Sequence, residues 1–271
     1  MLEFAGRISI LCFAASYGVG VANEICRLVW PRLASWPTTV AAAAGFFAQG
    51  LFLLFRGTEQ GRLPIASPFD AALVVAWLLV AVYLYYTVRN RTLSLGLFLL
   101  PVSLALVLFA TFTLDRRPSD NALSGKILGA AHGILLLLGT GMVVWGMLAA
   151  GMYLLKTRQL RTGAMFGRLK LPSLERLDRS NSLAIVVAWP LLTLGIGLGF
   201  ALRGLAWSDP KVLATVGAWA FLTFLAHYRY QPEHHGKRMA WMTLAAGTFV
   251  LVAVLGDPLF GTSHQIVRGA P

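Results

Sequence analysis

The fold class this sequence predicts is all-α, a polytopic integral membrane helical bundle of about eight transmembrane helices, and three observations predict it. Hydrophobic residues fill 57% of the 271 positions and charged residues only 13%, and the mean hydropathy of +0.70 is not one that a water-soluble domain sustains. Charge-poor stretches close to the roughly 20 residues needed to cross a bilayer recur along the whole chain. Basic residues gather in alternate connections between those stretches, the pattern that orients membrane proteins.

Taken in order, the first span runs from about Ile8 to Val29. Its leader sets Glu3 against Arg7 and has no cationic run, so a retained span is expected rather than a cleaved signal. The next spans are expected at Pro37 to Phe55, Ala71 to Val88, Leu93 to Leu114 and Ile127 to Leu155, and the last three at Leu183 to Leu202, Val212 to Tyr228 and Met239 to Leu255. Ser67-Pro68-Phe69-Asp70 has the spacing of a capping box before the third span, with Asp70 also able to face outer-surface chemistry. Pro101 and Pro190 fall inside spans and predict kinks. Gly195, Gly197 and Gly199 spell GxGxG within an apolar span, not between a strand and a helix, which predicts close helix packing and argues against a nucleotide loop. No internal repeat or low-complexity segment divides the chain, so residues 1–271 are expected to form a single membrane domain.

The net charge of +12 would suggest nucleic acid in a soluble protein. Here it sorts by membrane side, and no nucleic-acid partner is expected. With the amino terminus outside, fourteen of the 23 lysines and arginines fall on inner segments. The longest connection, Lys156 to Asn181, is the most basic. Within it Leu171, Leu174 and Leu177 share one helical face after Pro172, which predicts either a short amphipathic helix on the inner membrane surface or a plain cationic anchor attracted to anionic lipid. Cys12 and Cys26 form no CxxC pair.

Ionisable side chains at membrane depth are costly and default to functional candidates. His132 opens the fifth span at its outer end, and His264 follows the eighth span in an outer segment. Two imidazoles at one membrane level on different elements could ligate a metal or the iron of a haem from opposite faces, or could stand as interfacial histidines bonded to water and backbone. His227, near the inner end of the seventh span, could ligate at a second haem position, relay a proton, or snorkel to the interface. Asp209 and Pro210 suit the cap and first residue of the seventh helix, and Trp207 suits an interfacial belt. His234 and His235 read as a solvated turn. No Ser/His/Asp arrangement, HExxH or defensible carboxylate pair supports a hydrolase, and no midplane cluster of carboxylates supports a transporter.

The order of these features carries a resemblance. His132 precedes LPSLERLD, then TLGIGLG, AWSDPK and AWAFLTFLAHYRY, and finally GDPLFGTSHQ after the last span. The set resembles the cytochrome c assembly family, haem-handling membrane proteins that include the CcsA, CcmC and HemX-like groups. The resemblance is strongest over residues 67–264, and the compact length looks most like the HemX-like or YpjD-like branch. It implies a haem-binding protein that supports cytochrome c assembly in a bacterial cytoplasmic (inner) membrane. By position, His132 and His264 resemble the two flanking axial histidines, facing outward. His227 resembles the family's histidine in the following span. Asp209, Pro210 and Lys211 match the end of the family's tryptophan-rich loop, and Trp207 one of its tryptophans, whereas Ser208 stands where the family has tryptophan before the aspartate. The implied partners are haem, apocytochrome c, other membrane assembly subunits, and anionic lipid at the basic loops. An assembly factor is implied more than a stand-alone enzyme. A HemX-like regulatory scaffold of tetrapyrrole synthesis, keeping the fold without handling haem, is the other reading the resemblance allows.

Overall fold

The computed structural model describes residues 10–30, 32–61, 67–89, 94–114, 127–162, 169–203, 210–229 and 236–255. Eight helices account for nearly all of them: α1 Ile10–Val29, α2 Trp36–Gln60, α3 Pro68–Arg89, α4 Gly96–Thr113, α5 Ile127–Thr162, α6 Leu174–Arg203, α7 Pro210–Arg229 and α8 Lys237–Leu255. Every apolar block of the sequence has its helix, and no strand occurs among the described residues. Six of the helices, α2 to α6 and α8, are long and apolar enough to cross a membrane. In α1 the closing turns carry Asn23, Glu24 and Arg27, and α7 ends on His227 and Arg229, which lowers the hydropathy of both. The molecule is a multi-pass membrane helical bundle.

Local chemistry sets the helix ends. The Asp70 amide donates to Ser67 Oγ at 3.1 Å, the cap expected from the sequence. Pro37 enters α2 in its first turn, and Gly61, at φ 58°, closes the helix in the left-handed conformation that glycine adopts without strain. Helices run through both Pro101 and Pro190.

Two hydrophobic clusters divide the bundle. The first joins α1 to α4 with the middle of α5 around Phe13, Tyr17, Phe69 and Leu99. The second joins α5 to α8 around Ala188, Leu222, Leu225 and Met239. Helix α5 serves both, and Trp145 on it stacks on Tyr86 of α3 with ring centroids 5.7 Å apart. Side-chain hydrogen bonds tie neighbouring helices where hydrocarbon offers no alternative partner. Tyr17 Oη donates to Gln49 Oε1 at 2.5 Å while Gln49 Nε2 donates to the Leu73 carbonyl at 2.9 Å, linking α1, α2 and α3. Trp189 Nε1 donates to Thr223 Oγ1 and Trp219 Nε1 to Thr193 Oγ1, both at 2.9 Å, a reciprocal pair between α6 and α7.

The Leu171 to Leu177 segment departs from the first of its two readings. It forms no separate amphipathic helix on a membrane surface. Residues 169–173 are non-helical, and Ser173 Oγ accepts the Arg176 amide at 3.3 Å at the start of α6. Leu169, Leu171, Pro172 and Leu177 are buried. The Ser94 amide donates to the Lys170 carbonyl, and Gln159 Nε2 to the Leu169 carbonyl, fastening the segment across the end of the bundle. Leu171 and Leu177 are buried by tertiary contacts, and half-buried Leu174 opens α6.

Candidate functional site

His132 lies in the second turn of α5, half-buried against α6. The two helices run antiparallel along a seam in which glycines admit their neighbours. A β-carbon on Gly139 would stand 2.7 Å from Leu192, one on Gly195 2.8 Å from Leu136, and one on Gly199 2.7 Å from His132 Cε1. The close packing expected of the glycine-rich span is therefore present, and its last contact is with the histidine.

The ring is also tethered. His132 Nδ1 lies 2.6 Å from the Gly195 carbonyl oxygen. A carbonyl can only accept, so Nδ1 carries the proton and donates. In the neutral imidazole this leaves Nε2 as a bare lone pair, and Nε2 has no hydrogen-bond partner among the described residues. Metal-ligating histidines are characteristically held in this way, with the far nitrogen donating to a carbonyl or carboxylate.

His227 belongs to the opposite end of the bundle. Two residues after it, Arg229 Nη2 donates to Asp178 Oδ2 at 3.3 Å and to the Asp178 carbonyl at 3.1 Å. Asp178 and Gly195 stand 17 residues apart on α6, about 25 Å at the helical rise of 1.5 Å per residue. His227, exposed on α7, cannot share an atom with His132. Trp207, Asp209, Lys211's side chain, His264, His234 and His235 lie outside the described residues or side chains. The helix ends that flank Trp207 and Asp209, at Arg203 and Pro210, are at the His132 end, since α6 passes Gly199 to reach Arg203 and α7 starts nine residues before Trp219. Among the described residues no group of three or more His, Cys, Asp or Glu could hold a metal ion.

A second polar feature, missed in the sequence reading, joins α2 to α3. Asp70 is fully buried and paired with Arg56 Nε, while the guanidinium also lies 5.1 Å over the Phe69 ring. Asp70 therefore faces inward to a cation, not outward to solution. The spacing of Arg56 from Asp70 across a helix connection gave no local signal of the pair.

A family described as Cytochrome C assembly protein matches residues 67–263. The chain belongs to the cytochrome c assembly family. Proteins named cytochrome c biogenesis protein CcsA are similar along most of it. The one from Prochlorococcus marinus (strain MIT 9312) is 24% identical over 243 residues, covering 78% of this chain and 78% of its own. That of Guillardia theta is 24% identical over 235 residues, covering 76% and 77%. That of Chlamydomonas reinhardtii is 24% identical over 225 residues, covering 78% of this chain and 62% of its own. No solved structure matches. The role of this family member is in cytochrome c biogenesis, and the matched stretch starts at the cap of α3, leaving α1 and α2 before it.

Proposed function

We propose that this cytochrome c assembly protein holds haem at the His132 end of the bundle, between His132 and His264, and presents it for delivery to apocytochrome c. The observation that carries this is the His132 ring itself: half-buried, tethered through Nδ1, and with Nε2 available at a helix end. A fixed neutral imidazole is a suitable axial donor for haem iron. His264, nine residues past the end of α8, supplies the second donor, and Trp207 and Asp209 lie in the connection between α6 and α7 that opens at the same end. Haem is the cargo; its iron supplies the coordination sites that the two histidines fill until an apocytochrome's own ligands replace them. His227, on the far side of the bundle, would serve only a separate haem position. The excess of basic residues at the His227 end orients that end inward, towards anionic lipid, and the His132 end towards the compartment where cytochrome c matures.

The test is to purify the protein in mild detergent from haem-replete cells and record oxidised and reduced absorption spectra beside a His132→Ala/His264→Ala variant and a His234→Ala/His235→Ala variant. A bis-histidine haem spectrum lost only in the first variant is the expected result. Equal loss in both variants, or a colourless and well-folded wild type, would overturn it, the latter leaving a scaffold that keeps the fold without haem.

A further inference from the structure

We infer that Gly199 is a positioning residue for His132, and that the seat formed by Gly199 and the Gly195 carbonyl selects the tautomer in which Nε2 is free to ligate; as a haem-ligand device this rests on the reading above. Two independent contacts converge on one ring. The Gly195 carbonyl takes the Nδ1 proton at 2.6 Å, and the space a side chain at 199 would fill is occupied by the imidazole, whose Cε1 and Nδ1 lie 2.7 and 3.1 Å from that β-carbon position. A methyl group at 199 would press the ring away from α6, while its Nδ1 is tethered to the Gly195 carbonyl one turn earlier on that same helix, so retreat from the methyl stretches the hydrogen bond. The ring must swing away, and the Nδ1 hydrogen bond goes with it. Without that acceptor either nitrogen can carry the proton, and the Nε2–H tautomer cannot coordinate through Nε2.

The glycine stripe contains its own control. Gly197 lies on the same helix between the two seat residues, and a β-carbon there meets nothing within 4 Å. Gly197→Ala should therefore share any effect of raising helix propensity while leaving the ring alone.

The experiment labels the histidines with ¹⁵N and reads the ring-nitrogen shifts in detergent without haem, the His132 signal being assigned by its loss in His132→Asn. Wild type and Gly197→Ala should show His132 with Nδ1 protonated and Nε2 bare, and Gly199→Ala should lose that signature. Haem affinity in Gly199→Ala should fall by about 10- to 100-fold, the range for losing an outer partner of a metal ligand, with Gly197→Ala unchanged. An Nε2–H tautomer in the wild type overturns the inference even if Gly199→Ala fails to fold. So does a folded Gly199→Ala protein indistinguishable from Gly197→Ala. The expected tautomer in a protein that takes up no haem would instead sink the haem reading and leave the seat standing.

Discussion

At the scale of single residues, Asp70, Arg229 and His132 are each held by a specific partner, and the cost of removing one partner is predictable. Asp70 is fully buried, and Arg56 is its cation. Truncating Arg56 to alanine leaves an uncompensated carboxylate in the interior, which costs on the order of 3–5 kcal/mol. A large fall in the thermal midpoint in detergent is expected, with Asp70→Asn/Arg56→Ala recovering part of the loss because the stranded charge is gone. A double variant no better than Arg56→Ala alone would show that the charge is not what matters there. His132 was legible in the sequence because an ionisable group at the end of an apolar block invites explanation. Its seat was not, since the meeting of His132 with Gly195 and Gly199 depends on the register between α5 and α6, which brings together residues more than sixty positions apart. The Arg56–Asp70 pair escaped for the same reason.

At the scale of elements, hydrophobic blocks and caps predict where helices run, and interhelical hydrogen bonds decide which faces meet. The reciprocal Trp189–Thr223 and Trp219–Thr193 bonds pin α6 to α7 on either side of Pro190. Each is worth roughly 0.6 kcal/mol and at most about 1.7 kcal/mol in a membrane interior. Thr193→Val/Thr223→Val should accordingly lower stability modestly and nearly additively, as chemical denaturation followed by tryptophan fluorescence would report; a cost above about 4 kcal/mol would mean that the two bonds act as one network. The capping box at Ser67 was readable because it is local, three residues from hydroxyl to amide. The Leu171 to Leu177 segment was not, because a spacing of three residues satisfies a helical wheel wherever the helix begins, and here Leu171 precedes α6, Leu177 lies in its first turn, and both are buried in the cluster they form with α3, α4 and α5.

For the whole molecule, α5 is the member common to both hydrophobic clusters, joined to α3 by the Tyr86–Trp145 stack and to α6 by the glycine seam. The segment at 169–177 buttresses the same junction. Co-expressed fragments divided between Leu114 and Ile127 are therefore expected to co-purify, and Tyr86→Ala/Trp145→Ala should weaken their association without unfolding either part; fragments that never associate would show that the covalent connection holds the halves together. The number of helices and their polytopic character follow from the recurring apolar blocks, whereas the division into two cores does not, since apolar residues dominate most of the helices and periodicity does not say which neighbour each one meets. The contact between His132 and Gly199 also has a consequence across lineages. Because the ring takes the volume a side chain would need, the two positions are expected to vary together among relatives, glycine at 199 accompanying histidine at 132 and side chains at 199 accompanying its loss.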